Sequence, residues 1–349
     1  MKILKGLKAL NPVYQMFFIS TLISCFFTVY LVAYLKIETL FSVMISIITL
    51  ALIIIYLMKF AGYPSKWKNG DIILLLLNFI IILHLPVHFL SSARISFGRD
   101  KKDDLLIKFD KFMLGWLIKD GQIALWIDKN DYIGPHTSFG KFINNSLELF
   151  YFFYYLIPYV SMHFMSLLNC LREIIFRFNH DGLRSSSYKK NWNTVLFVSS
   201  VYLLTCVLVC FVNTLVPATS PRQHLKNEFV HPLELSGLSK YLNMRCKDDQ
   251  SANSFPSGHV AEVVSIGLAY YIDKNKFVGG LIIFFSALIA LATIFLRYHY
   301  FCDVVMGLIL AFLSFEINYY FGLRRYMKNN KEEKADFKMM NDESLETMI

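Results

Sequence analysis

About eight stretches of this chain run for some twenty residues with almost no charge, the length a helix needs to cross a hydrocarbon core of roughly 30 Å. They lie near 13–35, 40–59, 71–91, 147–168, 194–217, 257–273, 277–296 and 301–323. The expected class is an all-α integral membrane protein. Only 17% of the residues are charged, well below the roughly 25% of soluble domains, so a soluble fold is excluded at the outset. The net charge of +9 does not point to nucleic acid, because the basic residues sit in short connections between apolar runs.

Those connections predict orientation. Lys59, Lys66 and Lys68 follow the second stretch, and Arg172, Arg177, Arg184, Lys189 and Lys190 follow the fourth. Lys274 and Lys276 follow the sixth; Arg324, Arg325 and Lys328 follow the last. With Lys2, Lys5 and Lys8, all fall on one side, which the positive-inside rule makes cytoplasmic. The first stretch has no small-residue cleavage site and is expected to stay as an uncleaved span.

Four regions follow: N-terminal spans 1–91, an extracytoplasmic or interfacial segment 92–146, a catalytic membrane region 147–323, and a polar, disordered cytoplasmic tail 324–349. The segment 92–146 mixes lysine, arginine and aspartate, a long-loop regime where the orientation rule loses force. Within it, Phe112 to Ile127 is expected to form an interfacial amphipathic helix around Trp116 and Trp126.

The chemistry concentrates near two span ends. Pro256-Ser257-Gly258-His259 opens one span, and Arg297-Tyr298-His299 with Asp303 opens another. Two crossings separate the histidines, so both return to the same face. His299 and Asp303 are one helical turn apart, where a carboxylate can accept from one ring nitrogen and leave the other as a lone-pair donor. Proline suits a first helical turn, glycine permits close backbone approach, and the free amides of Ser257 and Gly258 favour an anion such as phosphate. His259 is placed to protonate a departing alkoxide. Arg222, Arg297 and Lys226 supply cations for phosphate oxygens. Against this stands the bland alternative of a capped helix start with interfacial arginines and a structural His–Asp bond.

Phe255 to His259 and Arg297 to Asp303 resemble the second and third signatures of the type 2 phosphatidic acid phosphatase superfamily. The branch containing inositol phosphorylceramide synthases is the closer likeness, through the arginine two places before His299. Pro217 to Arg222 resembles the first signature, and Asp110 to Gly115 an Asp-x-x-x-x-Gly element upstream of the core. The resemblance implies a six-helix phosphatase-type core, a phosphohistidine on His299 oriented by Asp303, and His259 serving the leaving group. It also implies phosphate contacts from Arg222 and Arg297, and neither metal nor cofactor. Two positions depart from the common pattern: Leu215 stands where a lysine is usual and Thr293 where an arginine is usual.

The expected activity is therefore a metal-independent lipid phosphatase or phosphotransferase, the latter passing a phospho-headgroup to a lipid alcohol. Plain hydrolysis of phosphatidic acid or a prenyl pyrophosphate is the alternative. A membrane carrier without chemistry is the rival from another class, since Glu262, His84 and His88 could line a path. The partners expected are a lipid phosphate and membrane lipids; oligomeric state is not readable. Cys206 and Cys210 share a helix face as packing residues. The aromatic run Phe150 to Tyr155 suits a membrane-interface belt.

Overall fold

The computed structural model describes residues 12–35, 99–165, 186–237, 254–272 and 276–328, with a few isolated positions elsewhere. Among these the chain forms helices and no strands. In chain order they are α1 (Pro12–Leu35), α2 (Asp103–Leu114), α3 (Ile123–Asp128), α4 (Ser138–Pro158), α5 (Ser186–Leu215), α6 (Pro221–His224), α7 (Gly258–Ile272), α8 (Lys276–Phe295) and α9 (Phe301–Asn318). Helices α4 and α9 each continue into a wider π-helical turn, Tyr159–Phe164 and Tyr319–Arg324.

Helix α7 is the hub. It packs against α4, α5, α8 and α9, and eleven of its fifteen residues are buried. One shared cluster joins Phe17 of α1, Val198 and Val201 of α5, Val263 and Ile266 of α7, Ile289 of α8 and Phe315 of α9. Polar atoms within the bundle pair with one another. Ser20 on α1 bonds Ser200 on α5 at 2.9 Å, and Ser200 donates to Asn318 on α9. Such bonds contribute about 0.6 kcal/mol each in a membrane, so they fix the relative depth of the helices more than they hold them together.

Three helices among the described residues are long and apolar enough to cross a membrane: Asn193–Leu215, Lys276–Phe295 and the α9 continuation Phe301–Lys328. They coincide with the expected spans at 194–217, 277–296 and 301–323. Pro12–Phe26 and Gly258–Ile272 are shorter apolar helices. The span expected at 147–168 falls on a helix that begins earlier, at Ser138, where Thr137 accepts from the Gly140 amide at 2.9 Å. Its first turns carry the polar residues Lys141, Asn144, Asn145 and Glu148. The spans at 40–59 and 71–91, with His84 and His88, and nearly all of the tail 324–349 lie outside the described residues.

The amphipathic helix expected over 112–127 is displaced. Helix α2 ends at Leu114, the chain reverses, and α3 begins only at Ile123. Gly121 has φ +69°, and a Cβ there would lie 2.3 Å from the Lys111 Cα. Only glycine satisfies both demands, so the chain turns back onto α2 instead of continuing as one helix. The faces of α2 are also unusual: Asp103, Leu106 and Asp110 point inward, while Leu105, Phe109 and Phe112 are exposed. With Trp116 and Leu117 they form an uncovered apolar strip, the pattern of a helix lying in a membrane interface.

Candidate active site

The two histidines meet. His259 Nδ1 lies 3.1 Å from His299 Nε2, although 40 positions separate them. Their helices can approach because Gly307 of α9 faces the first turn of α7; a Cβ there would sit 2.6 Å from the Ser257 carbonyl oxygen. The Ser257 amide donates to the Asp303 carbonyl at 3.0 Å, pinning the start of α7 to α9.

His299 is held from behind by a buried polar network. Its Nδ1 is 3.1 Å from Asp303 Oδ2, and that oxygen also accepts from Ser254 Oγ at 2.6 Å and the Tyr300 amide at 2.9 Å. His299 is 4% exposed and Asp303 fully buried, so the imidazole has no freedom to turn. Asp303 accepts only, which places the proton on Nδ1 and leaves Nε2 with its lone pair.

Three acids from the upstream segment brace this arrangement. Asp110 of α2 accepts from the Phe301 and Cys302 amides at 3.1 and 2.8 Å, capping α9 across 191 and 192 positions of sequence. Burial raises Asp110 to about 6, against the opposing pull of those bonds. Asp103 Oδ1 accepts from Thr219 and from the Tyr300 hydroxyl, tying α2 to the arginine-bearing loop. Asp128 accepts from the Val230 and His231 amides and pairs with Arg297 at 2.8 Å.

Arg297 occupies a position usually given to glycine. Its φ is +64°, and after it the Tyr298 and His299 amides both return to the Thr293 carbonyl, at 2.8 and 3.0 Å. That conformation costs an arginine about 1–2 kcal/mol. The buried pair with Asp128, a bond to the His231 carbonyl and packing over the Phe229 ring hold it there. Burial lowers its pKa to about 10, with Asp128 opposing, so it remains cationic at neutral pH. Arg297 is thus engaged with Asp128 through its Nη2.

His259 sits among rings. The Tyr151 hydroxyl is 2.6 Å from its Nε2, and the Tyr151 and Tyr154 rings lie 4.8 and 4.3 Å from its own. Tyr154 in turn donates to Glu262 at 3.1 Å. Glu262 is fully buried one turn beyond His259 and reaches it only through that tyrosine.

The remaining expected residues divide. Ser257 Oγ is buried without a hydrogen-bond partner among the described residues, beside the first-turn amides of α7 that begin with Gly258. Arg222 stacks over Tyr298 at 4.4 Å and donates to the Leu296 carbonyl at 2.7 Å. Lys226 is exposed on the turn after α6. Leu215 is 58% exposed at the end of α5, whereas Thr293 is fully buried and its carbonyl closes the Arg297 turn. Cys206 and Cys210 are buried. Among the described residues no group of three His, Cys, Asp or Glu side chains is arranged to hold a metal ion.

Ser254, Tyr151, Asp103 and Asp128 went unnoticed in the sequence. Tyr151 and Tyr154 carried a signal, since a three-residue spacing puts both on one helix face. The two aspartates carried none that distinguishes them from their exposed neighbours.

Residues 190–317 match the PAP2 superfamily. A PA-phosphatase related-family protein of Dictyostelium discoideum is 32% identical over 239 residues, covering 65% of this chain and 42% of its own length. The chain thus spans less than half of that relative. No solved structure matches. The histidine-bearing region is similar to the type 2 phosphatidic acid phosphatase superfamily, as its two motifs led one to expect.

Proposed function

We propose that this chain is a membrane-embedded lipid phosphatase or phosphotransferase that works through a phosphohistidine on His299. The observation that carries the proposal is the approach of His259 Nδ1 to His299 Nε2 at 3.1 Å, with Asp303 behind the second ring. A 3.1 Å contact leaves no room for phosphorus, which needs roughly 3–3.5 Å to the attacking nitrogen before reaction. Substrate therefore parts the rings, and His259 is the one that yields, because His299 is pinned from behind.

His299 Nε2 then attacks phosphorus, the bond to the leaving oxygen breaks, and His259 Nδ1 gives that oxygen its proton. In the second step an acceptor hydroxyl loses its proton to His259 and attacks the phosphohistidine, restoring His299. The α7 amides, Ser257 Oγ, Arg222 and Lys226 stabilise the phosphoryl oxygens. Arg297 shapes the loop and adds positive field from its pair with Asp128.

The acceptor decides the name of the reaction. Water makes a phosphatase of phosphatidic acid or a prenyl pyrophosphate. A lipid alcohol makes a phosphotransferase of the inositol phosphorylceramide synthase type, the outcome favoured by the Arg297-Tyr298-His299 motif. The site faces the extracytoplasmic or lumenal side, where the exposed strip of α2 rests in the interface, and the termini are cytoplasmic. Purified protein in detergent, given phosphatidic acid, prenyl pyrophosphate, or phosphatidylinositol with ceramide, tests this: a phosphorylated ceramide product means transfer, free phosphate means hydrolysis. No turnover by a well-folded protein would favour a carrier.

A further inference from the structure

We propose that Tyr151 is a positioning residue for His259, holding its ring by Nε2 in both of the protonation states the reaction needs; the proposal rests on the phosphohistidine reading above. Asp303 forces the proton of His299 onto Nδ1, so its Nε2 can only accept. His259 Nδ1, 3.1 Å away, must then be the donor, and a neutral His259 has its lone pair on Nε2. That nitrogen faces the Tyr151 hydroxyl at 2.6 Å, which donates to it. The closed site is one directed chain, from Tyr151 through His259 and His299 to Asp303.

During the first step the direction at Tyr151 reverses. With substrate in place His259 takes up one proton from solvent; the imidazolium carries protons on both nitrogens, and its Nε2–H donates to the phenol oxygen. After Nδ1 releases its proton to the leaving oxygen, the remaining proton stays on Nε2, still held by Tyr151, and Nδ1 is a base ready for the acceptor hydroxyl. A phenol can serve both states because it donates and accepts. A carboxylate in its place would accept only.

The hydroxyl is itself held in place. The Tyr151 ring is 4% exposed and stacks on Tyr298 at 4.7 Å, with 16° between planes. The Tyr298 hydroxyl donates to Glu148, at 3.1 Å from one carboxylate oxygen and 3.3 Å from the other, and Glu148 lies one turn before Tyr151 on α4. Tyr298 directly precedes His299, so the loop that carries the nucleophile also braces the tyrosine. The neighbours Phe150 and Phe153 instead turn toward Phe285.

Two measurements test the proposal. Single-turnover phosphorylation is followed for wild type and Tyr151→Phe with phosphatidic acid, a poor leaving group, and p-nitrophenyl phosphate, which needs little acid help. The variant should lose about tenfold with phosphatidic acid, a part of the 10²–10⁴ that general acid catalysis supplies, at nearly unchanged KM. With p-nitrophenyl phosphate the loss should stay below about threefold. Equal loss on both substrates, or none, overturns the proposal. Second, ¹⁵N-histidine NMR of the unliganded wild type should place the His259 proton on Nδ1; a proton on Nε2 overturns the proposal even if the variant does not fold. A wild type inert toward both substrates sinks the phosphohistidine reading instead, while the spectrum still judges Tyr151.

Discussion

The two histidines are the same residue in opposite settings. His299 backs onto a buried carboxylate whose Oδ2 also accepts from Ser254 Oγ and the Tyr300 amide. His259 is walled by tyrosine rings and held by one phenol. Hydrogen bonds to a carboxylate specify one tautomer and one orientation; ring faces specify neither. A nucleophile gains from the first setting, since its lone pair must be aimed before substrate arrives. An acid that becomes a base within one cycle gains from the second. On the proposed mechanism, the environments differ because the jobs differ.

The largest expected effect separates the two rings. His299→Ala should lower turnover at least about 10⁴-fold on every phosphate ester, as when a covalent nucleophile is removed. His259→Ala should cost about 10²–10⁴-fold with phosphatidic acid and far less with p-nitrophenyl phosphate. Equal losses on both substrates would erase the contrast.

Next comes the brace around the rigid half. Asp128→Ala strands Arg297 as a buried charge in a left-handed conformation and should destabilise the protein by about 3–5 kcal/mol, read as a lower thermal midpoint in detergent. Asp128→Ala with an unshifted midpoint would mean the pair holds nothing. Ser254→Ala removes the 2.6 Å donor to Asp303, a bond of about 1.5–3 kcal/mol. It should slow both substrates alike, unlike Tyr151→Phe, because it loosens the nucleophile and not the acid.

The smallest effect is a pH dependence. Burial raises Asp110 to about 6, so the folded chain binds that proton more tightly than the unfolded chain does. Its contribution to stability therefore grows as pH falls from about 6 toward 4. The thermal midpoint of wild type relative to Asp110→Asn should rise over that window. A constant difference across it would count against the buried carboxyl.

Much of this was legible in the sequence, for physical reasons. Helix length in a bilayer is set by apolar runs, so 194–217, 277–296 and 301–323 could be placed closely. The meeting of His259 and His299 followed from counting two crossings between motifs. The brace was opaque at Asp103 and Asp128, which act on partners more than a hundred positions away and which nothing local separates from exposed Asp104 or Asp120; Asp110 stood out only by its likeness to an Asp-x-x-x-x-Gly element. Arg297 was opaque for a related reason: its charge two residues before His299 was legible, its setting was not. Its backbone angle and its aspartate partner are tertiary facts.

Asp110 reaches across 191 positions to close the first turn of α9, and Asp103 across 197 to the tyrosine beside the nucleophile. The stretch that matches the superfamily begins only at residue 190, downstream of both and of Tyr151. An excised fragment starting there would keep every signature motif yet leave a helix mouth open and its acid–base ring unsupported. Homology and autonomy thus have different borders in this molecule, and any truncation should respect the second.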